Sequence, residues 1–561
     1  MAPVVSMVLF SILAASAPRP AGDSQPRQPD YTPVIEWLQR EVPKLLVENQ
    51  VPGASVALVD DQVVIWSGGF GFTDRSGKRR ITSDTPFSLQ SISKTYTATA
   101  FLRATDRGRF ALDEPLKEAV PGFSVHSRWG EREVDKVTYR HLLSHWAGLC
   151  HEAPVGNNYG DWHCTFDEHV RSISDTWLKC RVGERFRYSN LGYDLVGFAL
   201  QLRAAKPFPA LMREDLFEPL GMTASTFDQA QALGDPHRAR GHVQGQEVPP
   251  LEVPMLAAGG MYSTVNDMAK FISFHLAGGV SPGRRLISTD VLRAMYTPQY
   301  PQPGQKAGYG LGVNSRPYHG ATLLFHGGGG YGYSTDQRWV PEYKVGVVIL
   351  SNGDGGDNFV ADLADRALQE IIRAKRGILP PDEPLPWTRE PIITPNLEGL
   401  RRLEGTYVVG AQSTEFRLEV DHLHIVRGKR TEPLDALSPT RFSRGLNLYE
   451  FLFDDRGRVR EVQNHGDNGV SFFVPNDSPR DPAGSSKPEW ARFLGVYHAS
   501  AYGRHDEVPV ALKNGHLYWN GKLKLKEYRP GLFFTPDGDS VQFGDDAVEY
   551  ANRHYRRVNK S

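Results

Sequence analysis

A proline-rich stretch at residues 379–395 divides this chain into two parts with different hydrophobic patterning, and no single core can run through it. Proline locks its own backbone angle and donates no hydrogen bond, so neither a helix nor a central strand continues across such a segment. At 561 residues the chain exceeds what one core supports. The shift in character sets the expected organisation. A leader occupies 1–22, a first folded part 31–376, a linker 377–396, and two β-rich sets 397–479 and 488–561.

The first part opens and closes on helical spacing. Residues 30–49 place Val34, Ile35, Leu38, Val42, Leu45 and Leu46 on one side, and residues 358–375 are amphipathic in the same way. Strand-like runs stand at 54–59, 63–70, 334–340 and 345–351. Helical segments fill the middle, after Ser91, at 138–149 and at 191–202. This order predicts an α+β fold: an antiparallel sheet flanked by terminal helices, plus a helical subdomain. Beyond the linker only short alternating segments remain, at 415–419, 422–426, 448–453, 459–463 and 470–474, so the C-terminal region is expected to be all-β and barrel-like. Its two sets begin alike, Leu403-Glu404-Gly405-Thr406-Tyr407 and Phe493-Leu494-Gly495-Val496-Tyr497. That weak repeat fits two halves of one barrel or two small sheets, and one lipocalin-like barrel is the expectation.

Formal net charge is −1, so no global field draws the chain to nucleic acid or an anionic membrane. A small molecule or short peptide is the expected partner. Residues 4–17 form an apolar run ending in Ala15-Ser16-Ala17, the pattern of a cleaved signal peptide, which predicts a secreted or periplasmic protein. The run is short for an integral membrane span, and no later stretch qualifies. Of three cysteines, Cys150 and Cys164 share a loop, where a pairing is left open, and the odd count leaves at least one thiol over. His141 and His145 lie four apart, but without an H-E-x-x-H pattern or an acidic third ligand they read as structural. No metal or cofactor is expected.

Ser91 and Lys94 are three apart at the start of a helix, on one face. An amine within reach of a hydroxyl can take its proton and make a nucleophile of it. Two further pieces follow in order, Tyr188-x-Asn190 and His326-Gly327-Gly328. With these three elements the chain resembles the serine β-lactamase and penicillin-binding-protein superfamily. It is most similar to the branch of class C β-lactamases, D-alanyl-D-alanine carboxypeptidases, D-aminopeptidases and esterases. The superfamily signature is S-x-x-K, S-D-N and K-T-G. Here Tyr188 stands for the first Ser of the second element, and His326 and Gly327 stand for Lys and Thr of the third. Three flanking stretches carry the same likeness: 142–149, 217–222 and 258–264.

The resemblance implies that Ser91 attacks a carbonyl, with Lys94 and Tyr188 sharing the proton. Asn190 orients Lys94 and holds a substrate amide. The backbone N–H groups of Ser91 and Gly329 form the oxyanion hole. His326, Gly327 and Gly328 line the substrate. Histidine in place of lysine removes a permanent cation, which favours a peptide or ester substrate over a β-lactam. The alternative is a non-catalytic binding protein of the same fold that works through its β-rich region. A homo-oligomer is compatible with either.

Overall fold

The computed structural model describes residues 29–558, apart from 159–162, 282, 301–304, 355–358, 411, 429, 467, 480–483 and 502–503. The expected leader at 1–22 lies outside the described residues.

A seven-stranded antiparallel sheet forms the centre of the first part. From edge to edge it runs Val63–Gly71, Gly53–Asp60, Val345–Ser351, Tyr333–Val340, Ala321–Gly330, Asn314–Tyr318 and Gly308–Tyr309. Side chains alternate across a strand, so each strand feeds two cores. Val56, Leu58, Val347 and Ile349 pack on one face, while Ala57, Val59, Val348 and Leu350 pack on the other. The helices Thr32–Glu48 and Phe359–Arg376 cover the first face, through Val34, Leu38, Val42 and Leu46 on one and Leu363, Leu368 and Ile372 on the other. The helical subdomain covers the second, around Ser93–Asp106, Asn190–Ala204 and Val265–Leu276. The α+β expectation holds in this detail.

The C-terminal region departs from the single barrel. Its two sets form separate nine-stranded sheets with the same strand order. In the first, the edge strands Arg430–Pro433 and Asp435–Ser438 are consecutive in the chain, with only Leu434 between them. In the second, Leu523–Lys524 and Lys526–Arg529 meet at Leu525 in the same way. A sheet whose two edges are one residue apart must curl until they nearly meet, so each set is its own almost closed barrel. Each has its own apolar core. The repeat seen in the sequence marks equivalent entry points: Tyr407 and Tyr497 both donate their hydroxyls to the carbonyl four residues earlier. All three cysteines are free, so the pairing that the sequence left open for Cys150 and Cys164 is not formed.

Candidate active site

Ser91 stands where a strand becomes a helix. Phe87–Ser88 pairs with Tyr262–Ser263, a 3-10 turn spans Gln90–Ile92, and the helix Ser93–Asp106 follows directly. Gln90 holds φ +51°, a left-handed angle that side chains adopt at a cost. Its amide secures that shape by donating to Ser88 Oγ at 2.7 Å. Ser91 stays half-buried between buried neighbours. The first N–H groups of a helix lack internal partners, so the turn offers donors and the positive helix end at the serine.

Lys94 is fully buried. Its Nζ lies 3.1 Å from Ser91 Oγ, 2.8 Å from Asn190 Oδ1 and 3.0 Å from the Ala258 carbonyl. The amide oxygen and the carbonyl accept two of its N–H groups, and the third direction of the amine faces Ser91 Oγ.

Asn190 is locked in the orientation this needs. Its Nδ2 donates to Glu152 Oε1 at 2.8 Å. Glu152 is buried, which pushes its carboxyl up, but His151 and the Asn158 amide outweigh burial and hold it below the usual carboxylate range. An ionised carboxylate only accepts, so Asn190 Oδ1 must turn to Lys94. Two more bonds zip the segments together: Ser189 Oγ donates to Cys150 O at 2.6 Å, and Asn190 N–H to His151 O at 3.2 Å.

The Tyr188 ring centroid lies 4.9 Å from Lys94 Nζ, and the ring packs on buried His145 with centroids 4.2 Å apart. Among the described residues no hydrogen bond joins Tyr188 to Ser91. His145 Nδ1 accepts the Ser189 N–H at 3.1 Å. His141 instead closes the capping box with Thr138. The helix stops at Leu143 and His145 turns to φ +65°, which is why the four-residue spacing does not bring the two rings together.

The glycine strand runs past the serine turn. Its partner Asn314–Tyr318 ends opposite Phe325, so from His326 onward one edge has no strand partner among the described residues. A Cβ on Gly328 would sit 2.1 Å from the Leu89 carbonyl, whereas one on Gly329 would meet nothing within 4 Å. Only glycine lets the strand come this close, and Gly329 borders open space. Thr335 Oγ1 pins the approach by donating to Leu89 O at 3.0 Å. The His326 ring is buried. Its Nδ1 is 2.6 Å from the Gly327 carbonyl, so that nitrogen carries the proton, and Nε2 accepts from the Tyr309 hydroxyl at 2.9 Å. Burial first, then the charge of Lys94, pushes its pKa down to about 3. His326 is a neutral ring.

The second barrel reaches this site. Lys179 Nζ contacts Asp537 Oδ2 at 2.9 Å and Asp539 Oδ1 at 2.8 Å, and Arg187, next to Tyr188, meets Asp537 Oδ1 at 2.5 Å. The Asn552 side chain donates to the Glu152 carbonyl at 2.6 Å. Sequence reasoning missed Glu152, Asp537 and Asn552. The only signal was the polar loop at 150–166, read as overhanging a site.

A family model described as Beta-lactamase matches residues 38–370, more than half of the chain. The chain belongs to the beta-lactamase family. Among curated relatives, it is 27% identical over 376 residues to "Penicillin-binding protein 4" of Amycolatopsis lactamdurans, covering 64% of this chain and 95% of that one. It is 23% identical over 336 residues to "Protein flp" of Staphylococcus aureus, covering 59% of this chain and 65% of that one. Among solved structures it resembles the octameric penicillin-binding protein homologue from Pyrococcus abyssi, with TM-score 0.54 and 24% identity over 79% of this chain and 99% of that one. That coverage exceeds everything before the first barrel, so the likeness of fold extends into the β-rich region. A beta-lactamase/D-alanine carboxypeptidase from Pseudomonas syringae matches with TM-score 0.51 and 21% identity over 60% of this chain and 99% of that one. Among the described residues, no helix is long and apolar enough to cross a membrane.

Proposed function

We propose that this member of the beta-lactamase family is a secreted or periplasmic serine hydrolase that cleaves a small peptide, amide or ester through an acyl-enzyme on Ser91. The observation that carries this reading is Lys94. It is buried, with two acceptors fixed on Asn190 and Ala258 and its third direction on Ser91 Oγ. Burying a lysine without function is expensive, which counts against a binding protein that merely keeps the fold.

Ser91 Oγ attacks the carbonyl carbon and its proton passes to the Lys94–Tyr188 pair. The carbonyl becomes an oxyanion held by the Ser91 and Gly329 N–H groups. The pair returns the proton to the leaving amine or alcohol, and water then releases the acyl group by the same path. Asn190 and the open edge of the glycine strand at Gly327 and Gly328 hold the substrate. His326 offers no cation there, since both ring nitrogens are engaged and the ring is neutral. This supports D-residue peptides and short esters over β-lactams. The octameric neighbour supports a homo-oligomeric assembly.

The test is a panel of D-aminoacyl anilides, D-dipeptides, short acyl esters and a chromogenic cephalosporin, run with wild type and Ser91→Ala. Turnover of a peptide or ester that Ser91→Ala abolishes supports the proposal. Cephalosporin as the best substrate contradicts the ranking, and no Ser91-dependent turnover contradicts the activity.

A further inference from the structure

Behind Lys94 lies a pair of charged side chains that the acyl-transfer roles leave unused. His169 and Asp194 are both completely buried, with Nε2 3.2 Å from Oδ2. The other ring nitrogen, Nδ1, lies 2.8 Å from the Val155 carbonyl. The other carboxylate oxygen, Oδ1, accepts the N–H groups of Ala257 at 3.0 Å and Ala258 at 3.1 Å.

Both ring nitrogens thus face oxygen acceptors. A neutral imidazole has one N–H, so satisfying both needs an imidazolium or a protonated Asp194. Two backbone donors on Oδ1 favour the ionised carboxylate, which leaves His169 as the cation. Burial alone would push His169 down, but the Asp194 bond and charge outweigh it and raise it.

The connections of the pair are specific. Asp194 sits four residues after Asn190 on the same helix, one turn along the same face. It also holds the N–H of Ala258, whose carbonyl accepts from Lys94. His169 holds Val155, three residues after Glu152, the residue that orients Asn190. The pair therefore touches the segments that supply or steer two acceptors of Lys94, the Asn190 amide and the Ala258 carbonyl.

We propose that His169 and Asp194 are positioning residues for acylation, a buried ion pair that fixes the Ala258 carbonyl and the Asn190 amide so that Lys94 faces Ser91. The proposal rests on the serine-hydrolase reading above. Misplacement of such groups by about 1 Å lowers rate by up to about a hundredfold.

The experiment follows the rate of Ser91 labelling by a fluorophosphonate in the full chain, with kcat and KM on the best substrate. Asp194→Ala is expected to slow labelling and lower kcat by about tenfold or more, with KM within about twofold. Asp194→Asn is expected to stay within about threefold of wild type. Its Oδ1 still accepts both N–H groups and its amide donates to a neutral His169. Histidine 15N NMR of the wild type at pH 7.5 should show the His169 ring doubly protonated, and neutral in Asp194→Asn, a reading available even if Asp194→Ala does not fold. Wild-type labelling rates in Asp194→Ala, equal impairment of both variants, or a neutral His169 in the wild type would overturn the proposal. Failure of the wild type to label would overturn the hydrolase reading instead.

Discussion

The side chain of Asn552, in the second barrel, donates a 2.6 Å hydrogen bond to the backbone carbonyl of Glu152, four hundred residues away. Asn552 is buried and holds φ +66°, an angle asparagine tolerates better than other side chains. Its own carbonyl accepts from Asn157 Nδ2 at 3.1 Å, so the hairpin tip is clamped from both sides. Replacing Asn552 by Ala leaves a buried carbonyl short of its donor and is expected to destabilise the chain by about 1–3 kcal/mol. It should also lower kcat, because the loop that carries Glu152 loosens. Urea unfolding and steady-state kinetics on one preparation check this, and an unchanged midpoint with unchanged kcat contradicts the clamp.

Glu152 reaches Ser91 through Asn190 and Lys94. Glu152→Ala frees the Asn190 amide to turn over and present N–H groups to Lys94. A loss of about ten- to a hundredfold in kcat is expected, in line with about 1–3 kcal/mol for one misdirected buried hydrogen bond. Glu152→Gln can still accept through its oxygen and should lose less. Equal activity in Glu152→Ala and wild type would remove Glu152 from the account.

Asp537 lies between two cations, the buried Arg187 and the largely covered Lys179. Removing one partner of a buried ion pair typically costs about 3–5 kcal/mol, because the remaining charge is left uncompensated. Asp537→Ala should therefore lower the thermal midpoint and weaken docking of the barrel beside Tyr188. Limited proteolysis of the full chain should become faster. A variant as stable and as resistant as wild type would show that the barrel is not anchored there.

How legible was this in the residues alone? Ser91, Lys94, Asn190 and the glycine strand were readable because each sits in a short pattern whose local geometry is enforced: a helix turn, a turn before a helix, a strand passing Leu89. Glu152 was not, since a lone glutamate in an irregular loop has no periodicity. Asn552 and Asp537 act through contacts hundreds of residues distant, which no local window reaches. The two separate barrels were missed for a related reason. Strands as short as Leu523–Lys524 and corners of one residue at Leu434 and Leu525 carry too little alternation to register. The four-residue spacing of His141 and His145 is not a shared helix face, because the helix ends at Leu143, before the second histidine.

The neutral state of His326 makes a pH prediction. The unfolded imidazole takes its proton near pH 6.5, the folded ring only near 3, since burial and Lys94 disfavour the charged form. Between those values the unfolded state binds the extra proton. Stability present in full above pH 6.5 is therefore lost as pH falls towards 3. His275 behaves alike, held to about 3 by burial. The unfolding midpoint should drop steadily from pH 7 to pH 5, less steeply in His326→Gln. The kcat/KM profile should carry no limb near 6.5 that disappears in His326→Gln; such a limb would mean the ring titrates in the working protein.

The most direct measurement is intact-mass and peptide-mapping mass spectrometry of the full chain after exposure to a fluorophosphonate. Nucleophilic Ser91 predicts one adduct per chain, on the peptide containing Ser91. Labelling should be abolished by Ser91→Ala and strongly slowed by Lys94→Ala, with both variants folded by circular dichroism. Absence of an adduct on the folded wild type, or an adduct on another residue that survives Ser91→Ala, would contradict the account.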